Sequence, residues 1–370
     1  MKSQKAIKQS DMQRMLTEGK ISLPPLKFCS IQLAPVFGGG RQLDAILEIQ
    51  WGIQRRRFAV EMKALSTPMA LRTAVNEVTS AKLPPDTLPM IMLPYLSAAQ
   101  LQELAQGGVS GIDLCGNGVV VAPGELFVFR TGQPNRFPSS APIKNIYRKN
   151  TSMVARLFLA LPRIARTSEV LAEVNSRNLL GSIFRRSPMV MGTVSKAIKA
   201  LEEDLIVSRQ QGLLRLIQAD KLLDNLLDNY RPQNPGETVR RKVPLAAPEL
   251  LGRLVLLGKE LNLPVVATGL NSATRYAVMQ RGELFSIYCP QPEALLSRLP
   301  PGESDRFPNL EIVTSEDETV YFDTRIDDET GFRWASPIQA YLEMMRGDKR
   351  DQETAVQVRD EIIRAVGNLP

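Results

Sequence analysis

Gly192-Thr-Val-Ser-Lys-Ala-Ile-Lys-Ala-Leu-Glu-Glu203, followed by Leu205-Ile-Val-Ser-Arg209, Gln210-Gln-Gly212 and Leu213-Leu-Arg-Leu-Ile217, is the stretch on which the fold turns. Val194, Ile198 and Leu201 recur at i, i+4 and i+7, the spacing of one buried helix face. The two short apolar runs after it, joined through a glycine that accepts positive φ, predict a hairpin. Upstream, Ser152-Met-Val-Ala-Arg-Leu-Phe-Leu-Ala-Leu161 predicts an apolar helix with Thr151 or Ser152 at its start and Pro162 at its end. Thr167-Ser-Glu-Val-Leu-Ala-Glu-Val174 predicts another, with a hydroxyl-then-Glu start and Val170, Leu171 and Val174 on one face. Residues 149–217 hold eleven Lys/Arg against five Asp/Glu, so they carry about +6 of the chain's +7.

Three helices and a basic hairpin in this order resemble a winged helix-turn-helix. In that motif the third helix enters the major groove and the hairpin tracks phosphates. The outward positions are Thr193, Ser195, Lys196 and Lys199 on the helix, with Arg209 and Arg215 on the hairpin. Double-stranded DNA is the partner implied, and the basic surplus suits counterion release. One spacing departs from the motif. Ser176–Met189 spends fourteen residues where three or four are usual. It contains Arg177, Arg185 and Arg186, and reads either as an added DNA contact, with Arg185 and Arg186 as candidates, or as a loop.

Composition narrows the chemistry. With 370 residues, 44% hydrophobic and 23% charged, the chain is long enough for two or three ordinary globular domains. It contains no histidine, which removes Ser-His-Asp and Cys-His catalysis and every histidine-bearing zinc site. Cys29, Cys115 and Cys289 stand singly, so no disulfide framework or zinc ribbon follows. The longest apolar attempt, Leu254–Leu270, is broken by Lys259, Glu260, Asn262 and Pro264, so no membrane partner is expected. Met1-Lys-Ser-Gln-Lys-Ala-Ile-Lys-Gln9 lacks the apolar centre of a signal peptide, and a cytoplasmic protein is expected.

The N-terminal part alternates strands and helices and predicts an α/β unit. A polar helix over residues 1–20 precedes a strand at Phe28–Leu33 and the loop Phe37-Gly-Gly-Gly40. Leu43–Trp51 and Arg57–Lys63 then form a hairpin on whose second strand Glu61 and Lys63 share a face. Helices follow from Pro68 and Ser97, with strands at Met90–Leu93, Gly111–Val121 and Glu125–Arg130. Asp44 on one strand and Glu61-Met-Lys63 on the next resemble the PD-(D/E)xK nuclease fold. That resemblance implies Asp44 and Glu61 as Mg²⁺ ligands and Lys63 orienting the attacking water, the catalytic trio of a restriction-endonuclease-like domain. Hard carboxylate oxygens suit that cation. The upstream helical acid of such enzymes maps to Glu18, and Asn76 is the nearest polar residue to the usual helical Gln. The plain alternative is a salt-bridged strand.

Residues 131–150 read as a linker, and Pro232–Gly236 as a second boundary. The expected layout is an α+β multidomain chain. It has an α/β domain over 1–145, the three-helix-and-hairpin domain over 146–232, and a C-terminal α/β domain over 233–370. In the last, Glu318–Phe322 predicts a strand and Ser272–Met279 a helix. Thr268-Gly269 is either a small anion nest or a plain helix start.

Several ordered motifs carry a further resemblance: Thr151–Pro162, Gly192-Thr-Val-Ser-Lys196, Ala267-Thr-Gly269 with Ala273, Pro337-Ile-Gln-Ala-Tyr-Leu342, Glu353-Thr-Ala355 and Arg359. Together they resemble the AbiEi-like antitoxins of bacterial type IV toxin–antitoxin systems, from about residue 146 onward. Gly111-Ile-Asp-Leu-Cys-Gly-Asn117 is similar to a strand of longer relatives with a nuclease-like N-terminal domain. The resemblance implies a transcriptional regulator repressing its own operon, with a C-terminal domain that neutralises a cognate toxin. A twofold operator would imply a homodimer. Three readings follow: a DNA-binding regulator, a Mg²⁺-dependent endonuclease, and a protein-interaction regulator of a partner enzyme.

Overall fold

In the computed structural model, residues 7–37, 42–140, 144–184, 186–231, 237–279, 282–302 and 306–368 are described. The chain divides into two units, Met1–Pro142 and Ile143–Pro370. Its class is mixed α/β, and among the described residues no helix is long and apolar enough to cross a membrane.

The first unit runs α1 (Gln9–Thr17), β1 (Lys27–Leu33), β2 (Ala45–Trp51), β3 (Gln54–Met62), α2 (Pro68–Thr79), β4 (Thr87–Leu93), α3 (Ala98–Gln106), β5 (Ser110–Asp113), β6 (Gly118–Ala122) and β7 (Leu126–Arg130). Its seven strands pair in chain order. β3, β4 and β5 are parallel neighbours, and the remaining pairs are antiparallel. Period-two side chains send Phe58, Val60 and Met62 into a core with Met12 and Leu16 of α1. Ala59 goes to the opposite core with Leu71, Ala74 and Val78 of α2 and Leu101 and Leu104 of α3. Glu61, two residues on, belongs to that second face. The crossover helices start where their sequences say. Thr67 Oγ1 accepts from Ala70 N at 3.2 Å, and Ser97 and Gln100 form a reciprocal capping box.

Two expectations change in this unit. Gly111–Val121 is two strands, because Asp113 turns the chain. Its buried carboxylate accepts from the amides of Cys115, Gly116 and Asn117 at 2.7–2.8 Å, with Gly116 at φ 98°. Leu96 N and Asn117 Nδ2 satisfy its other oxygen. The expected linker over 131–150 is in part folded structure: Ser140 is buried, and its Oγ lies 3.0 Å from Ser66 Oγ.

The second unit begins with α4 (Ser152–Ala160), β8 (Arg163–Ile164), α5 (Thr167–Arg177), α6 (Leu179–Ile183), α7 (Met191–Glu203), β9 (Val207–Gln210) and β10 (Leu213–Leu216). The strands form an antiparallel sheet ordered β8-β10-β9. The β9–β10 turn is Gln211-Gly212 with φ of 51° and 83°, positive at both positions as a tight hairpin requires. α8 (Ala219–Asn229), β11 (Thr238–Arg241), α9 (Ala247–Glu260), β12 (Val266–Ala267), α10 (Gly269–Ser272), β13 (Phe285–Cys289), α11 (Pro292–Leu296), β14 (Leu310–Thr314), β15 (Arg325–Ile326), β16 (Arg333–Trp334), α12 (Pro337–Met344) and α13 (Lys349–Asn368) complete it. A six-stranded sheet has the order β11-β14-β13-β12-β16-β15.

Segments 146–232 and 233–370 share one core. Met153–Leu159 of α4 is buried on every side, and it meets Leu222 and Leu226 of α8 together with Ile338, Leu342 and Val358. Glu318–Tyr321 is a 3-10 turn where a strand was expected. Asp317 Oδ1 accepts from Thr319 N and Oγ1 at 2.9 and 2.8 Å and bends the backbone away from extension. The helix expected over Ser272–Met279 is only α10 and a 3-10 turn to Arg275.

Candidate functional site

α7 buries Val194, Ala197, Ile198, Ala200 and Leu201. Ser195, Lys196 and Lys199 are consequently exposed, and Thr193 is half-buried. Among the described residues neither lysine has an ion-pair partner. Val190 and Met191 open the helix at 61% and 41% exposure, too open for core residues. Apolar side chains at a helix start can meet a thymine methyl; periodicity alone did not single them out.

The small sheet holds a second signal. Arg215 on β10 is paired in register with Arg163 on β8, and both are exposed. Like charges directly opposite repel, and among the described residues neither has a carboxylate partner. Such a pair suits a phosphate. Arg163 was not in the sequence-derived set, because adjacency across non-consecutive strands is visible only once the sheet is assembled.

Arg209 and Arg186 are engaged within the fold. Arg209 reaches Glu202 at 3.3 Å. Arg186 is held by Glu316 at 2.8 Å and faces Glu318 at 3.9 Å. Arg185 lies outside the described residues. The Ser176–Met189 insert is thus not a plain loop among the described residues. It forms α6 and is tied down by Asn178 Nδ2 to Glu318 at 2.9 Å, Arg177 to Asp323 at 2.5 Å, and Asn175 to the Met189 backbone. Arg186→Ala is expected to leave duplex affinity within about twofold and to cost under about 1 kcal/mol in a urea melt, as a partly exposed pair should. A tenfold affinity loss would return Arg186 to the interface.

In the first unit, Asp44, Glu61 and Lys63 come together where β2 begins and β3 ends. Asp44 accepts from Met62 N at 2.7 Å and from Gln9 Nε2 at 2.5 Å. Lys63 Nζ bridges Glu61 at 2.8 Å and Glu77 of α2 at 2.5 Å. Burial raises the Glu61 carboxyl, a shared hydrogen bond with Glu77 raises it further, and against the pull of Lys63 it is pushed up to about 7. Burial also raises Asp44, although the Met62 amide and Lys63 oppose the shift. For Lys63, burial acts downward but is outweighed by the bonds to Glu61 and Glu77, which leave it raised.

Two sequence assignments shift here. Glu18 is exposed and pairs with Lys20 at 2.5 Å, while Gln9 of the same helix reaches Asp44. Asn76 points outward, and its neighbour Glu77, about 100° round the helix, supplies the polar group that reaches Lys63. Among the described residues no three cysteine or carboxylate side chains gather closely enough to hold a metal ion, so Asp44 and Glu61 stand as a pair.

The Thr268-Gly269 nest is filled from within. Glu343 accepts from Leu270 N at 3.1 Å, Tyr288 Oη at 2.9 Å and Gln339 Nε2 at 2.8 Å. The sequence matches no family model, and comparison with curated proteins and with solved structures finds no match.

Proposed function

We propose that this chain binds double-stranded DNA through a winged helix-turn-helix. α4, α5 and α7 serve as the three helices, β9–β10 as the wing, and α7 as the element entering the major groove. The observation that carries this reading is the unneutralised basic surface: Lys196 and Lys199 on α7, and Arg163 opposite Arg215 on the sheet. Its test is fluorescence anisotropy of the full chain with a mixed-sequence duplex across a salt series. Four phosphate contacts give a slope of log K against log salt near about −3.6. Absence of duplex binding at low salt overturns the reading. The role of an operon-repressing antitoxin acting on a cognate toxin rests on the sequence resemblance, and homodimerisation on a twofold operator.

A second reading, a Mg²⁺-dependent endonuclease of the PD-(D/E)xK kind, is favoured by one specific arrangement. The helix-strand-strand-strand-helix-strand order of α1 to β4 supports it, with Asp44, Glu61 and Lys63 side by side. Two carboxylates with raised pKa values, Glu61 buried and Asp44 half-buried, carry negative charge that a hard cation relieves. Asp44 and Glu61 are the residues that would hold Mg²⁺, and the ion would supply a more acidic water and a counter-charge for the phosphate. Lys63, held between Glu61 and Glu77, stays cationic within the cluster. Plasmid incubated with the full chain and Mg²⁺ or Mn²⁺ is nicked on this reading, and Lys63→Ala abolishes nicking. Cleavage that survives in the variant removes the site, and intact plasmid removes the reading.

A further inference from the structure

A cavity of about 260 Å³ in the second unit lies among α4, α8 and the 317–319 turn. Four cations line it: Arg148, Lys149, Arg156 and Arg231. Among the described residues Asp317 is the only carboxylate on its wall, so the described lining carries +3 (four minus one). Asp317 is itself partly satisfied, one oxygen receiving Thr319 N and Oγ1.

Arg156 is the informative residue. It sits within α4, whose residues from Ser152 to Leu159 are all buried, and is 3% exposed. Nη1 donates to Thr319 O at 3.0 Å and to Gln339 Oε1 at 2.8 Å, both neutral acceptors. Nε is buried without a hydrogen-bond partner. Among the described residues no carboxylate lies within salt-bridge reach of this guanidinium. Asp317 and Glu343 act on it electrostatically without direct contact, Glu343 through the shared Gln339 amide. Burying a charge with no direct ion pair and incomplete hydrogen bonding is costly, and such groups normally bring a partner with them. The cavity beside Arg156 leaves room for one.

The mouth is built the same way. Lys149 is exposed and has no ion-pair partner among the described residues. Arg148 donates to Asn229 Oδ1 at 3.2 Å, and Arg231 to the Asp228 and Tyr230 carbonyls, again without neutralisation. Ser152, buried at the cavity wall, already donates to Lys149 O and can accept in turn. The volume exceeds a single phosphate group and falls just below the roughly 300–1,000 Å³ of sites for drug-sized ligands.

From this enclosure we infer that the cavity is a binding site for a small phosphate-bearing anion, of the size of inorganic phosphate to pyrophosphate. Arg156 holds the charge at the base, and Lys149, Arg148 and Arg231 close over it. Arg forks and Lys point charges are the usual partners of phosphate oxygens. The occupant bridges α4, the innermost helix of the DNA-binding segment, to the 317–319 turn. The inference concerns a site separate from α7 and does not depend on DNA binding.

The test is isothermal titration of the full chain with pyrophosphate, and separately with inorganic phosphate, at constant ionic strength. Saturable binding is expected, weakened by about a hundredfold in Lys149→Ala/Arg231→Ala, roughly the loss of two charge-assisted contacts. Those two side chains are exposed, so the variant keeps the fold even where Arg156→Gln does not. Arg156→Gln, where it folds, is expected to lose binding altogether. No saturation up to millimolar anion, or affinity unchanged in the double variant, overturns the site. Competition between pyrophosphate and duplex for the cavity would make it a backbone-phosphate contact of DNA, and would equally overturn the free-anion reading.

Discussion

Lys196→Ala together with Lys199→Ala is expected to lower duplex affinity about a hundredfold at moderate salt and to flatten the salt slope by about two units. Each lysine that neutralises one phosphate releases close to one counterion, which sets the slope change at about 0.9 per contact. A charge-assisted contact at about 1.4 kcal/mol is tenfold, so two give about a hundredfold. The substitutions leave the fold alone, because both side chains lie on the exposed face of α7 while Val194, Ile198 and Leu201 hold its buried face. Alanine is also the best helix former, so helicity does not fall. The loss should be similar on unrelated duplexes, since phosphate contacts position without reading bases. A sequence-dependent loss would place the lysines on base edges. No loss in either affinity or slope would mean that α7 does not enter DNA.

The adjoining pair gives a stability readout as well. Arg163 and Arg215 oppose one another across the small sheet, so Arg163→Ala should be neutral or slightly stabilising without DNA and should weaken binding with it. Opposite signs in the two assays are what a phosphate-binding pair produces, and what a structural arginine does not.

The order of elements around α7 was legible because it depends on local periodicity. Val194, Ile198 and Leu201 fix the helix face, and Gln211-Gly212 the hairpin, without reference to distant residues. The meeting of Asp44, Glu61 and Lys63 was legible for a similar reason: a short hairpin and a period of two bring them together. What escaped depends on contacts between remote elements. Glu77 joins Lys63 through the packing of α2 on the sheet, and Gln9 reaches Asp44 across thirty-five residues. The Ser176–Met189 insert is anchored by Asn178 to Glu318, 140 residues away, and no local pattern announces such a tie. The strand expected at Glu318–Phe322 failed because Asp317 offers the backbone a side-chain acceptor, a competition that hydrophobic counting ignores.

Glu61→Gln is expected to make the protein more stable at pH 8, by about 2–3 kcal/mol, and to have little effect near pH 4.5. The folded-state carboxyl of Glu61 titrates at about 7 against an ordinary 4.5. Between those values the native state binds the proton and the unfolded state has lost it. Stability therefore falls as pH rises from about 4.5 through about 7, and the penalty is complete above that. At about 1.4 kcal/mol for each pKa unit, the full penalty approaches about 3 kcal/mol. Glu61 is 7% exposed, so solvent screening trims this only modestly. Glutamine keeps an acceptor for Lys63 and offers an N–H to Glu77, so the shape of the cluster survives while the ionisation penalty disappears. Urea denaturation of the full chain at both pH values checks it; a difference independent of pH would mean that Glu61 is not the proton-holding group. The same pair of melts separates the two readings of this cluster. A cation held by Asp44 and Glu61 favours the ionised carboxylates, so Mg²⁺ at pH 8 should stabilise the parent and leave the Gln variant unmoved. Equal response in both would leave Lys63 as the counter-charge of this cluster and would make the cluster a structural salt bridge.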